Sequence, residues 1–168
     1  MTWITPDFKI GQLSDVSSLS LVLRTDPYGY DFIVAESNDG MLAIILNPEG
    51  EFNSFPVGDV DDYGGLIIDD IGIEVDLDLD PDRNLGPCPL GAVERKRDGV
   101  FLRCKPSQGR GGFGYSVRLI TGLPECPNGT GAAFTKWSIV KGARSEKKVL
   151  YTIDVSSSDQ LKVKRDLK

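Results

Sequence analysis

Basic and aromatic side chains are interleaved between Arg95 and Arg118, in the segment of the sequence whose residue types point most clearly to binding. Its cations are Arg95, Lys96, Arg97, Arg103, Lys105, Arg110 and Arg118, and its aromatic rings are Phe101, Phe113 and Tyr115. Cations beside rings are typical of surfaces that follow an anionic backbone and stack bases. A charged hairpin beside a glycine-rich loop has the same composition. The candidate binding residues are Arg95, Lys96, Arg97, Arg110, Phe113 and Tyr115.

The glycine run at 109–114, Gly-Arg-Gly-Gly-Phe-Gly, matches the spacing of a dinucleotide-binding loop. Such a loop must open a helix, because the helix N-terminus binds the pyrophosphate. The residues that follow, Tyr115 to Ile120, instead alternate between polar and apolar as a strand does. We therefore expect a loop before a strand here, and no cofactor.

Carboxylates are concentrated at residues 59–82, which contain ten acidic side chains and no basic one. Asp59, Asp61 and Asp62 adjoin glycines in a predicted loop, so they are the weak candidates for a metal site. Their spacing does not match an EF-hand loop. The main interpretation of the acidic run is a solvated strand face that discourages edge pairing, with no bound metal.

Two short segments resemble motifs of the dUTPase family. Residues 58–65, Gly-Asp-Val-Asp-Asp-Tyr-Gly-Gly, resemble the motif in which an Asp and a Tyr precede a Gly, and residues 110–114 resemble the glycine-rich closing arm. The resemblance implies a nucleotide phosphohydrolase in which Asp61 positions the attacking water and Phe113 stacks on the base. The family's Ala-Gly-x-Asp motif is missing, so this function stands as an alternative to binding.

The 168 residues include no histidine, which excludes the commonest general base and the usual serine and cysteine dyads. No other catalytic constellation is visible, so the chain is expected not to be an enzyme. Three cysteines, an odd number, favour a reduced cytoplasmic protein. A bridge between Cys88 and Cys126 that leaves Cys104 free is the alternative. The first residues lack a basic region followed by an apolar run of signal-peptide length, so we expect neither a signal peptide nor a membrane-spanning segment.

Short runs that alternate between apolar and polar residues predict nine strands. They are Leu19–Arg24, Asp31–Ser37, Met41–Leu46, Ile71–Asp80, Gly91–Lys96, Val100–Lys105, Ser116–Thr121, Lys136–Val140 and Lys148–Val155. Turn sequences such as Asn38-Asp39-Gly40 indicate antiparallel neighbours. The expected fold is one all-β domain over residues 1–168, an antiparallel β-sandwich or distorted β-barrel. One short terminal helix is allowed by capping patterns at 5–7 and 157–160, although residues 161–168 fit a last strand or a tail equally well.

Charge differs sharply between the two halves of the chain. Residues 1–82 have 18 acidic and 2 basic side chains, a net charge of −16, and residues 83–168 have 7 acidic and 17 basic, a net charge of +10. Acidic and basic strands that pair across a sheet would explain this, and so would separate faces that meet charged partners. The predicted function is a binding protein of the inhibitor or accessory type. A protein partner is favoured over single-stranded nucleic acid, and the oligomeric state stays open.

Overall fold

The computed structural model describes residues 9–12, 16, 19–25, 29–37, 40–46, 52–57, 64–75, 90–96, 99–105, 115–120, 132–142, 146–156 and 161–166. Fourteen strands lie in these ranges. In chain order they are β1 (Lys9–Gln12), β2 (Ser20–Leu23), β3 (Phe32–Ser37), β4 (Gly40–Ile45), β5 (Ser54–Pro56), β6 (Gly64–Asp69), β7 (Gly72–Val75), β8 (Val93–Lys96), β9 (Gly99–Cys104), β10 (Tyr115–Ile120), β11 (Ala132–Phe134), β12 (Lys136–Lys141), β13 (Lys148–Asp154) and β14 (Lys162–Arg165).

The strands form three antiparallel sheets. The first sheet has the order β1-β6-β2-β3-β4-β5, the second β10-β9-β8-β11, and the third β14-β13-β12-β7. The described strands do not close into a barrel. The all-β antiparallel prediction is confirmed, and each of the nine predicted segments overlaps an observed strand.

Both faces of the first sheet are apolar. Leu21 pairs with Ile33, and the next residues along these strands, Val22 and Phe32, also pair. Because residues opposite each other share a face and successive residues change face, the two pairs lie on opposite sides. Leu21 and Ile33 belong to the main core. Val22 and Phe32 belong to a second buried cluster, whose other members are Val16, Val34, Ala43 and Ile67.

Short connections join the three sheets. Asp70 and Ile71 alone separate β6 in the first sheet from β7 in the third, and Thr135 alone separates β11 in the second from β12 in the third. Asn53 and Lys105 form a parallel bridge between the first and second sheets. The main core therefore contains buried side chains from all three sheets.

No α-helix is present among the residues described above. Of the C-terminal stretch 161–168, for which strand, helix and tail were alternatives, residues 162–165 form the strand β14. The two capping patterns, at 5–7 and 157–160, lie outside the described residues, as do Cys88 and Cys126.

Candidate functional site

Strand β9 separates a core side from a polar side by strict alternation. Val100, Leu102 and Cys104 are buried in the main core. The residues between and after them are Phe101 and Arg103, which are half-buried, and Lys105, which is exposed. Alternation along a strand places these three on the opposite side of the sheet from the core. We call Phe101, Arg103 and Lys105 the β9 face.

The register of the second sheet distributes the other members of the basic segment around β9. On β8, Arg95 is opposite Val100 and Lys96 is opposite Gly99. On β10, Tyr115 is opposite Cys104. Among the candidate binding residues, Arg97, Arg110 and Phe113 lie outside the described residues, and so do the metal candidates Asp59, Asp61 and Asp62.

Strand β10 directly follows the glycine run at 109–114. This is the outcome expected from the alternation of Tyr115 to Ile120. The structure thus puts a strand where a dinucleotide-binding loop needs a helix.

Lys105 has an exposed side chain on a firmly held backbone. Its N–H donates to Phe52 O at 3.0 Å, and its carbonyl accepts from Ser54 N at 2.8 Å and from the Ser54 hydroxyl at 2.9 Å. Phe52 is fully buried and has a positive φ of 45°, which is uncommon for a residue other than glycine. The end of β9 is therefore fixed against the first sheet, and the Lys105 charge is presented from a defined position.

Arg103 is held by the turn that precedes β8. Its N–H donates to Ala92 O at 3.0 Å, and its carbonyl accepts from Gly91 N at 2.8 Å. Gly91 in turn accepts a buried hydrogen bond at 2.7 Å from Nε1 of Trp137, on β12. A chain of contacts therefore runs from the third sheet through the turn to the β9 face.

Burial controls the chemistry of the Cys104 thiol. Desolvation raises its pKa from 9.0 to about 11, against the opposing effects of a hydrogen bond with Ser54 and the charge of Arg103. The thiol is therefore protonated at neutral pH, whereas nucleophilic attack and metal binding require the thiolate. Cys104 is fully buried in the main core.

A second polar cluster lies inside the protein, between the first and third sheets. The hydroxyl of buried Tyr151 donates to Oδ2 of buried Asp31 at 2.9 Å, and the backbone N–H of Arg24 donates to Oδ1 at 2.8 Å. Burial raises the pKa of Tyr151 above its ordinary range, and the charge and hydrogen bond of Asp31 act in the same direction. The tyrosine is thus a stable donor that satisfies a buried carboxylate.

Sequence analysis did not identify this cluster, because Asp31 and Tyr151 are 120 positions apart. The available local signal was Asp31 itself, an acidic residue directly before the apolar run of β3. A charge at that position indicates a buried partner, but it does not identify which residue supplies it.

Metal-ligating side chains do not cluster in the part of the chain that the structure describes: no three Cys, Asp or Glu residues there are placed to hold an ion. Within the same residues no helix has the length and apolar character needed to cross a membrane.

Residues 10–161 match the family model described as "Uncharacterised protein y4lG". The chain belongs to the y4lG family. It is similar to the uncharacterized protein y4lG of Sinorhizobium fredii (strain NBRC 101917 / NGR234), with 31% identity over 145 residues, which cover 86% of this chain and 89% of the relative. No solved structure matches the chain significantly.

The y4lG family match includes the complete β9 face and the residues that hold it, from Phe52 to Trp137. It also includes Asp31 and Tyr151. The strand β14 follows the last matched residue.

Proposed function

We propose that this chain is a binding protein without catalytic activity, and that it engages an acidic protein partner through the β9 face. Lys96 would extend that surface, because it is opposite Gly99 on the same face, and Arg97, Arg110 and Phe113 are further candidates for it. Arg95 and Tyr115 are opposite Val100 and Cys104, so the register places these two positions on the core side of the sheet instead. The observation that carries the proposal is the alternation on β9, which directs Phe101, Arg103 and Lys105 away from the side buried by Val100, Leu102 and Cys104. A ring flanked by cations is the composition that protein interfaces favour.

Rigid support is the second argument for binding at this face. The backbones of Arg103 and Lys105 are fixed by hydrogen bonds to residues of other elements. Side chains on a fixed backbone lose less conformational freedom when a partner binds, so more of the contact energy contributes to affinity. Rigid strands also give a more defined surface than loops do.

The chemistry of the described side chains supports binding more than catalysis. Burial raises the pKa of the Cys104 thiol, and the Tyr151 hydroxyl donates its hydrogen bond to Asp31. Neither group is available as a nucleophile or a base at neutral pH. The buried free thiol of Cys104 and the odd number of cysteines also support a cytoplasmic location, which we propose as part of this function.

Charge reversal at the β9 face tests the proposal. The test is a pull-down from extracts of the source organism at a series of salt concentrations. The two baits are the unmodified chain and the double variant Arg103→Glu/Lys105→Glu. We expect a stoichiometric acidic protein that the unmodified chain retains at low salt and releases as salt rises. The double variant should bind it about tenfold or more weakly.

Lys136→Glu is the matched control, because Lys136 is also exposed but lies on the third sheet. Its binding should stay close to that of the unmodified chain. Equal retention of the partner by Arg103→Glu/Lys105→Glu would contradict the proposal. Retention of single-stranded oligonucleotides instead of a protein would replace it with nucleic-acid binding, and pyrophosphate release from nucleotides that Asp61→Asn abolishes would replace it with hydrolysis.

A further inference from the structure

Strand β14 forms one border of the third sheet. It pairs with β13 in an antiparallel register that sets Lys164 opposite Thr152 and Val163 opposite Ile153. Among the described strands, none pairs with the other side of β14. An unpaired strand of this kind presents a row of backbone N–H and C=O groups to which an extended chain can bind.

The ladder with β13 determines which backbone groups face outward. The N–H of Asp166, directly after β14, donates to Leu150 O at 3.0 Å. Because consecutive residues of a strand direct their backbone groups to opposite sides, Lys162 and Lys164 also bond towards β13. The N–H and C=O groups of Val163 and Arg165 are consequently directed away from β13, to the side on which no described strand pairs, and we call this side the β14 edge.

Charge and shape at the β14 edge are suited to an acidic strand. Lys162 and Lys164 are exposed, two positions apart, and therefore lie on the same face. Leu161 and Val163 alternate with them and pack against the main core. The outer face of an incoming strand would lie beside Lys162 and Lys164. Its inner face would lie beside Leu161 and Val163, which pack against the core.

Arg165 adds an observation that is independent of the lysines. Its Nε atom is buried and has no hydrogen-bond partner in the structure. A buried donor without an acceptor is unfavourable by about 1–3 kcal/mol. The register sets Arg165 opposite Tyr151, on the same face as Val163, so this donor belongs to the inner side of β14 and is separate from the charges of Lys162 and Lys164.

Lysines on a border strand have a protective effect of their own, because they oppose pairing with other strands of neutral or positive charge. The same charges attract a strand of opposite sign. Specificity of this kind combines repulsion of the wrong partners with attraction of the right one.

From these observations we propose that the β14 edge binds an extended acidic segment of a partner protein as an added strand of the third sheet. Backbone hydrogen bonds from Val163 and Arg165 would hold the segment, and Lys162 and Lys164 would select acidic side chains. This site goes beyond the function proposed above, because it shares no residue with the β9 face.

The first test measures binding of a capped synthetic peptide of alternating Glu and Val to the full chain by fluorescence anisotropy. Lys162→Glu/Lys164→Glu should weaken binding about tenfold or more. A peptide of alternating Lys and Val should bind the unmodified chain no better than it binds an unrelated acidic protein. Equal affinity for both peptides, or an unchanged affinity in the double variant, would overturn the proposal.

A second test uses the direction of the backbone groups. Val163→Pro removes an outward N–H without removing a bond to β13, which is where a border strand tolerates proline. Val163→Ala loses similar packing and keeps the N–H, so it is the matched control. We expect Val163→Pro to weaken peptide binding about tenfold relative to Val163→Ala. Equal binding by the two variants would contradict the added strand.

Amide hydrogen exchange of the unmodified chain needs no substitution. The peptide should slow exchange at Val163 and Arg165 and leave Lys162 and Lys164 unchanged, since the latter two already bond to β13. Protection of none of these amides would overturn the proposal. A dimer of the chain that Lys162→Glu/Lys164→Glu dissociates would overturn the assignment to a partner protein and identify a second copy as the occupant.

The two proposals fail separately. Arg103→Glu/Lys105→Glu should leave peptide binding at the β14 edge unchanged, and Lys162→Glu/Lys164→Glu should leave binding at the β9 face unchanged. If one pair of substitutions abolished binding of both the partner protein and the peptide while the chain stayed folded, two independent sites would be excluded.

Discussion

At the scale of single residues, environment decides what each reactive group can do. Cys104 and Tyr151 are both nucleophile types, yet burial raises the pKa of both groups, which is the opposite of the lowered pKa that an activated nucleophile needs. Arg103 and Lys105 instead project from the side of the sheet away from the core. The useful chemistry of this part of the chain is therefore charge recognition.

Ionisation of Cys104 should make the fold sensitive to alkaline pH. The pKa of its thiol is raised by burial from 9.0 to about 11, so the folded state binds the proton more tightly than the unfolded state does. The resulting stabilisation is complete below about pH 9 and is lost as pH rises through 11. Its size is roughly 2–3 kcal/mol.

Urea unfolding under reducing conditions at a series of pH values measures this effect. Cys104→Ala has no thiol to ionise, so its free energy of unfolding should decline less steeply between pH 9 and 11, although it starts lower because of the cavity. Tyr151 titrates in both proteins and cancels in the comparison. Parallel pH dependences for the two proteins would contradict the prediction.

At the scale of elements, close contacts between turns and strands fix the candidate surface. Gly91 has a positive φ of 86°, and a Cβ atom there would lie 2.3 Å from the ring of Phe52. Only glycine allows the turn before β8 to approach that ring. The same glycine bonds to Arg103 and accepts from Trp137, so this turn connects all three sheets.

Gly91→Ala should lower the free energy of unfolding by about 2–4 kcal/mol, because backbone strain and overpacking against Phe52 add together. Gly40→Ala is the control: Gly40 also has a positive φ, of 111°, but no atom lies within 4 Å of its added Cβ. The free energies of unfolding of the two variants would be measured by chemical denaturation. Their difference gives the cost of the contact between the added Cβ atom at position 91 and the ring of Phe52. Equal losses would show that Phe52 moves aside without cost.

The sequence pattern predicted nine strands, including β2 and β3, which are buried on both faces, and it missed β1, β5, β6 and β11. Strand β6 begins with two glycines and continues with apolar residues on both of its faces. Ile67 and Ile68 are buried in different clusters, one on each side of the sheet, so the strand shows no alternation between apolar and polar residues. The strands β5 and β11 have three residues each, too few to establish a period. Strand β1 is four residues long, which is also too short to establish a two-residue period.

At the scale of the whole molecule, the two oppositely charged halves are partly separated and partly joined. The first sheet uses residues 9–69 only, and the second uses residues 93–134 only. The third sheet joins β7 of the acidic half to β12 of the basic half. Glu74 and Lys147 form an ion pair there, and Nζ of Lys141 donates to Asp69 O at 2.6 Å.

A shared core across three sheets should make unfolding a single cooperative event, as expected for one domain. Because Trp137 packs where the sheets meet, loss of its buried environment should coincide with loss of β structure. Tryptophan fluorescence and far-ultraviolet dichroism, recorded during the same urea titration, should give the same midpoint. Two separated midpoints would instead show that the chain contains more than one cooperative unit.

The sequence by itself determined the class of secondary structure, the two sides of β9 and the absence of histidine chemistry. Alternation along a strand is a local property with a period of two residues, so it can be recognised from neighbouring positions. Tertiary structure alone decided which strands share a sheet, that β14 forms a border, and that Tyr151 meets Asp31. These depend on packing and register between residues far apart in the chain, which no local pattern encodes.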